Sequence, residues 1–476
     1  MASTFYFYDL ETSGISPRRD RIMQFGGQRT DLSLKPIGKP DNFIIKLDDD
    51  VLPQPDAILT HDITPQKTRA DGLSEREFLH FFTDKIVQPG TIFVGFNNIR
   101  FDDEFIRFSL WRNFFDAYEW QWKLNCSRWD LLDVARMTRA LRPDGIQWPF
   151  APDGKPTVRL EMMATINKLS HSSVHDAASD VRVSIALARL IRLKQPKLFE
   201  YLLNLRNKTK VEVLVNGSEP VVYTSGHYPN EYEKTTMAMM VGPRADQPGA
   251  LMYDLRIDPK PFLKLEPAQL AKLWSDHSKE AKYFPVKILS YNRCPAIAPL
   301  NVLDKKDAKR LGLDLKKVDK HLAKLKAADG FADRLNKALE IIHPPKQPKL
   351  VVNEDEVDGL LYDGFVSQPD KTRMSVVRAA DAETISDLTV DFDDERLTAL
   401  LPLYKARNFP KNLTSVEAAN WEKFKARKLL AGGEGSAAAK YFQRISELAS
   451  KPMTSRQQKH VLKELEIYGE SILPAA

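Results

Sequence analysis

An α/β chain of more than one domain is what this sequence predicts, on three observations. Strand-like runs rich in aromatic and β-branched residues open it at 4–10, 22–30 and 43–47, and a fourth follows at "TIFVGFN", 91–97. Helical patterns come next, at about 102–115, 160–168 and 177–194. Strands that give way to alternating helices and strands point to a layered structure around a mixed sheet. Finally, 476 residues are too many for a single core, so two or three domains are expected.

The first three runs lie close together and read as a hairpin meander. In "AASDVRVSIALARLIR" the apolar residues Val181, Ile185, Leu187, Leu190 and Ile191 fall mostly on one helical face. "KQPK" at 194–197 punctuates the end of this unit, giving a first domain over 1–195. Between 211 and 300 the character changes. "VEVLV", "PVVYTS", "ALMYDL" and "PVKILSY" read as short strands among Pro and Gly, with a helical stretch near 266–282. A small β-rich barrel or sheet is expected there. The segment 305–329 is Lys-rich, with nine Lys/Arg against four acids, and its Leu spacing suggests an amphipathic helix pair. It closes a second domain, 196–345. "HPPKQPK" at 343–349 is a joint, and 349–476 reads as a helical third domain.

No run of 18 apolar residues exists, so no membrane-spanning helix is expected. Met1 leads almost directly into the first strand, which leaves no room for a signal peptide. Cys126 and Cys294 are far apart and form no metal or disulfide pattern; buried reduced thiols in a cytoplasmic protein are expected. A net charge of +6 permits a polyanionic partner without establishing one.

Chemistry is carried by "FYFYDLETSG" at 5–14. Side chains alternate along a strand, so Asp9 and Glu11 share a face, their Cα atoms roughly 6.6 Å apart. Taken alone they read equally as solvated acids at a strand end. Asp102, in "GFNNIRFDDEF", follows another apolar strand at the start of a helix and reads alone as an N-cap. Asp180, in "HDAASD", could merely complement a helix dipole, and His175 alone is more often structural. Together, three carboxylate sites and a histidine stand at element boundaries, where strand ends and helix starts can converge. Hard Mg²⁺ or Mn²⁺ ions take oxygen ligands and substrate phosphate. Two such ions suit phosphodiester hydrolysis, with a neutral imidazole taking a proton from the attacking water.

"YDLETSG", "NNIRFD" and "HDAASD" resemble the three motifs of the DEDDh 3′→5′ exonucleases, D-x-E, N-x₂₋₃-F-D and H-x₄-D. "NCSRWDLLDVAR", "LRPDGIQWP", "RLEMM", "YLLNLRNK", "PVKILSYNRCP", "LYDGF" and "YKARNFP" narrow the resemblance to the bacterial exodeoxyribonuclease I family. It covers nearly the whole chain and is thin at 212–250 and after 428. It implies a ribonuclease H-like nuclease domain, an SH3-like domain and a helical C-terminal domain. It implies 3′→5′ hydrolysis of single-stranded DNA to 5′-mononucleotides, in repair and recombination, with two Mg²⁺ ions that Mn²⁺ can replace. Asp9, Glu11, Asp102 and Asp180 would be the metal ligands and His175 the general base; His171 would be a decoy.

Single strands are gripped by cations on phosphates and aromatic faces on bases. The resemblance places Arg107, Tyr118, Trp122, Arg136, Arg159, Tyr201, Lys287 and Asn292 on DNA, with Arg159 near the terminal nucleotide. Core packing and internal salt bridges compete for each of these. Single-stranded DNA-binding protein is an implied partner, for whose acidic tail Lys405, Arg407 and Lys411 are available cations. A monomer is expected. The nuclease motifs leave open an exonuclease that acts on RNA or proofreads, and a binding scaffold on a dead nuclease fold.

Overall fold

The computed structural model describes residues 3–169, 176–276, 278, 283–344, 352–452 and 455–474. Two compact units divide the chain, and they do not follow chain order. One gathers Met1–Ser127, Ser172–Arg182 and Pro348–Ala476; the other holds Arg128–His171 and Val183–Gln347.

In the first unit, β1 (Thr4–Thr12), β2 (Ile22–Thr30) and β3 (Asp41–Ile44) form the expected meander, and β4 (Thr91–Gly95) lies parallel to β1. The sheet is therefore mixed. Its order is β3-β2-β1-β4, and β5 (Ser127–Asp130), which lies in the second unit from Arg128 on, was not legible as a strand. β1 is central and buried on both faces, which is why "FYFY" is continuously apolar rather than alternating. Tyr6, Tyr8 and Leu10 enter one aromatic core with Phe25, Phe78 and Phe93. The opposite parity carries Asp9 and Glu11. The third run, expected at 43–47, pairs at 41–44. Short helices at Pro55–His61, Pro65–Asp71 and Glu75–Phe81 fill what the sequence left unread between β3 and β4.

The C-terminal helices share this unit's cores. Phe108, Trp111 and Phe114, on and just after the helix Asp102–Arg112, pack with Val357, Leu361, Leu397 and Leu400. Trp111 Nε1 donates to the Val357 carbonyl at 3.1 Å. Elsewhere Met23, Leu47 and Ile58 pack with Tyr441, Ile445 and Leu465 of the final helical hairpin. A buried ion cluster adds to this. Arg407 donates from Nη2 to Asp50 and Asp358, each at 2.8 Å, and Arg21 Nη2 donates to Asp358 at 2.8 Å. Lys428 Nζ joins Asp50 at 2.5 Å. The three cations hold the Asp50 and Asp358 carboxyls well below their usual range. Arg407 is thus a correction: its side chain is 5% exposed, and it is no surface cation for a partner's acidic tail. Lys405 pairs with Glu417 at 3.5 Å, and Lys411 is exposed.

In the second unit, β6 (Val221–Thr224), β7 (Thr235–Pro243), β8 (Gly249–Asp254), β9 (Val286–Ser290) and β10 (Ala296–Pro299) form an antiparallel sheet ordered β10-β6-β7-β8-β9. "VEVLV" is no strand. It ends the helix Lys208–Val215, where Asn207 caps the Thr209 N–H and Val211 and Val215, four apart, are the buried face. The Lys-rich segment forms helices Lys305–Arg310 and Leu315–Lys326, broken at Gly312 with φ 65°. In the latter, Val318, His321 and Leu325 are buried, while Lys316, Lys317 and Lys320 face solvent.

Among the described residues no helix is long and apolar enough to cross a membrane. Cys126 is buried and Cys294 half-buried, and neither is in a disulfide.

Removing Arg407 strips its hydrogen bonds from the buried Asp50 and Asp358 carboxylates and leaves only Arg21 and Lys428 against them. Arg407→Ala is expected to lower unfolding free energy by about 3–5 kcal/mol, read by urea denaturation. A loss below about 1 kcal/mol would show that the cluster does not hold the C-terminal helices.

Candidate metal and nuclease site

Asp9 and Glu11 leave the end of β1 on one face, and Asp180 reaches them from the helix Ala177–Lys194. One carboxylate oxygen from each of the three lies within 4.8 Å of the others. All three residues are half-buried.

The residues of β2 that stand opposite the two acids fix where that helix begins. Glu11 pairs with Gln24 and Asp9 with Gly26. Gln24 Nε2 donates to Asp176 Oδ1 at 2.8 Å, and its Oε1 accepts from the Ala177 N–H at 3.2 Å. Asp176 Oδ2 in turn accepts from the Ser179 N–H at 3.0 Å, which caps the helix. A Cβ on Gly26 would lie 2.5 Å from the Ala177 carbonyl carbon, so only glycine lets the helix start this close to the strand.

Asp102 is the first helical residue, not an N-cap, and its Oδ1 accepts from the Leu10 N–H at 3.1 Å. The backbone between the two acids of β1 is thereby tied to the third motif carboxylate. Asp103 beside it is buried and accepts from the Tyr8 hydroxyl and from Asn98 Nδ2. Residues 170–175, and with them His171 and His175, lie outside the described residues.

Like charges this close resist ionisation. Burial, then Asp180 and Asp176, push the Glu11 carboxyl up to about 8. Burial, then Asp102, Asp180, Glu11 and Asp176, raise Asp9 well above the carboxylate range. An all-oxygen donor set whose charges repel without a counter-ion is a fit for hard divalent cations.

The DNA-contact candidates are dispersed. Arg107 is engaged by Glu104 at 2.6 Å, Gln121 at 2.7 Å and the Tyr362 hydroxyl at 3.2 Å, and it stands 5.7 Å from the Tyr118 ring centroid. Tyr118 packs on the Phe108–Leu397 core, and Trp122 is 62% exposed. Arg136, Arg159, Tyr201, Lys287 and Asn292 belong to the second unit. There Arg136 pairs with Asp133 at 2.7 Å, and Arg159 is exposed. Burial pushes the Tyr201 hydroxyl up to about 12. Lys287 sits 4.8 Å from the Tyr283 ring centroid and is lowered by burial. Asn292 is exposed, its carbonyl accepting from Arg128 at 3.1 Å.

Sequence reasoning missed Asp176 and Gln24. Asp176 was legible as the cap of its helix; Gln24 had no signal, because its role depends on the β1–β2 register. It also passed over Phe365, which is 98% exposed where a phenylalanine is expected to be buried.

Three family models match consecutive stretches of the chain: an exonuclease domain over 6–188, an exonuclease I SH3-like domain over 206–340 and an exonuclease I C-terminal domain over 355–472. Exodeoxyribonuclease I of Haemophilus influenzae is 36% identical over 478 residues, covering 99% of each chain. The chain belongs to the exonuclease I family. The Escherichia coli exodeoxyribonuclease I is 38% identical over 436 residues, covering 88% of each chain. Exonuclease I of Methylocaldum szegediense superposes with a TM-score of 0.91 at 38% identity, over 99% of this chain and 100% of its own. Escherichia coli exonuclease I in complex with a dA16 oligonucleotide superposes with a TM-score of 0.92 at 35% identity, with the same coverage. The ribonuclease H-like, SH3-like and C-terminal architecture is thus the family's own.

A carboxyl raised in the fold binds a proton that the unfolded chain has released, so its contribution to stability is lost as pH rises from about 4.5 through about 8. Glu11→Gln is therefore expected to raise the melting temperature of the metal-free protein at pH 8.5 and to leave it nearly unchanged at pH 4.5. Equal shifts at both pH values, by differential scanning fluorimetry in EDTA, would show that Glu11 is not under this repulsion.

Proposed function

We propose that this chain hydrolyses single-stranded DNA from its 3′ end to 5′-mononucleotides, in DNA repair and recombination. The observation that carries this reading is the convergence of Asp9, Glu11 and Asp180 within 4.8 Å, in a chain of the exonuclease I family. Asp9, Glu11, Asp102 and Asp180 would hold two divalent cations, Mg²⁺ with Mn²⁺ as a substitute. When bound, these supply charge stabilisation to the attacking and leaving oxygens of an in-line displacement. The carboxylates of β1 and of the helix Ala177–Lys194 would hold the ions between them. His175, which directly precedes the capping Asp176 in the chain, takes the proton of the attacking water.

The reading extends to the rest of the molecule. Its domains are 1–195, 196–345 and 349–476. Arg107, Tyr118, Trp122, Arg136, Tyr201, Lys287 and Asn292 hold the strand and Arg159 the terminal nucleotide. Escherichia coli exonuclease I has been crystallised with single-stranded DNA, including a zinc-bound form, and a complex of single-stranded DNA-binding protein with exonuclease I has been solved. Both ligands are proposed for this chain, as a monomer in the cytoplasm.

A single strand labelled at its 5′ end should yield a descending ladder in Mg²⁺, and the same strand labelled at its 3′ end should release labelled mononucleotide at once. Both reactions should stop in EDTA and in Asp180→Asn. Early release of the 5′ label, or near-normal turnover by Asp180→Asn, would overturn the polarity or the ligand assignment respectively.

His175→Ala is expected to lower turnover by roughly 10²–10⁴-fold, with partial rescue as pH and hydroxide rise. A wild-type rate at neutral pH would assign the proton transfer to another group.

A further inference from the structure

The loop that follows the two acids of β1 is built more rigidly than a surface loop requires. Ladder pairing is irregular between Glu11 and Thr12, so the strand loses its regular support immediately after the second carboxylate. At that point the Thr12 carbonyl meets His61 Nε2 at 3.2 Å. The other ring nitrogen, Nδ1, accepts from the Ile63 N–H at 3.1 Å. A backbone N–H can only donate and a carbonyl can only accept, so the imidazole is held with its proton on Nε2, donated to Thr12. His61 is 8% exposed and ends the short helix Pro55–His61.

The next residues are fastened as well. The Ser13 carbonyl accepts from the Gln54 N–H at 2.6 Å. Asp20 Oδ2 accepts from Gln54 Nε2 at 3.1 Å and from the Ser16 N–H at 2.8 Å. A Cβ on Gly14 would lie 2.4 Å from both Asp20 Oδ2 and Gln54 Nε2, so the loop closes tightly over this pair. His61 and Gln54 come from the segment at either end of one helix, and both grip the chain within three residues of Glu11.

We propose that His61 is a positioning residue of the carboxylate site: by donating to the Thr12 carbonyl it holds the irregular end of β1, so that Glu11 stays beside Asp9 and Asp180 and can share a divalent cation with them. Gln54 supports the same strand end through Ser13 and Asp20. The inference rests on the metal reading of Asp9, Glu11 and Asp180. Three carboxylates repel one another, and a strand end without regular pairing is where that repulsion would be relieved by movement. A buried imidazole and an amide, each fixed by a second bond of its own, resist it. Groups that orient ligands without touching the ion typically alter affinity by roughly 10–100-fold when lost.

Mn²⁺ alone, titrated calorimetrically into the full chain without DNA, tests this. His61→Asn keeps an acceptor for the Ile63 N–H and loses the reach to Thr12. His61→Gln places its amide nitrogen near the Nε2 position. The expected result is Mn²⁺ affinity weakened roughly 10–100-fold in His61→Asn and restored to within about threefold in His61→Gln. Parent-like affinity in His61→Asn, with Glu11→Gln unable to bind, overturns the positioning role and leaves the metal reading standing. Equal weakening in both His61 variants also overturns it, since the imidazole would then matter for packing and not for the bond. Parent-like affinity in Glu11→Gln removes the metal reading, and this inference with it. Should His61→Asn melt near the assay temperature, Gln54→Met is the second variant, with a loss in the same direction expected and parent-like affinity counting against the proposal.

Discussion

Mutual repulsion among acids at the end of β1 is the constraint around which the first unit is organised. Beyond burial itself, Asp102, Asp180, Glu11 and Asp176 raise the Asp9 carboxyl, and Asp180 and Asp176 raise that of Glu11. Such a cluster lowers the stability of a metal-free fold as pH rises, and nothing in local propensity would assemble it. Neighbouring strand and helix contacts hold it. Gln24 and Gly26 fix the helix that carries Asp180, and the Leu10 N–H ties Asp102 to β1. The chemistry the site is suited to requires this conflict, because groups that repel each other without a counter-ion bind one readily. Local strain at functional sites is sustained where the surrounding structure over-determines it.

That surrounding structure includes the end of the chain. The buried cluster of Arg21, Arg407 and Lys428 with Asp50 and Asp358 joins residues more than three hundred positions apart within one unit. Asp50 lies four residues before Gln54, whose contacts reach the loop beyond Glu11. Tyr468, in the final helix, donates to the carbonyls of Asp48 and Val51. Residues 349–476, which read in sequence as a helical domain, thus share cores with the first strands and helices within one compact unit. Ion clusters of this kind contribute less to net stability than their Coulomb energy suggests, because desolvation opposes it, but losing one member is costly. The cluster therefore secures a particular arrangement of chain segments more than it adds to stability.

Exposed aromatics mark where this unit meets its surroundings. Trp122 and Phe365 show large apolar surfaces to solvent, against the general burial of such residues. Arg107 and Tyr118, adjacent in the same reading, are instead occupied: the guanidinium by Glu104, Gln121 and Tyr362, the ring by the Phe108–Leu397 core. Residue type alone does not separate the two situations, since an aromatic at a family position can be wall or platform.

The sequence by itself determined the α/β class, the meander, a fourth strand within 91–97 and the placing of Asp9 and Glu11 on one face, because alternation and strand composition are local properties. Its motifs also pointed to Asp9, Glu11 and Asp180, which the fold brings together, since short spacings at element boundaries survive in one dimension. Tertiary structure alone decided the rest. "VEVLV" became helix because Asn207 caps it and because its buried face has a spacing of four, a fact of packing that β-propensity does not contain. Arg407 looked like an available surface cation and is buried, since its partners Asp50 and Asp358 come from distant parts of the chain. Gln24, Asp176 and His61 carried no motif. Their roles arise from register, from a helix start held against a strand and from a carbonyl left at a ladder irregularity, and each of these exists only once separate segments have met in space.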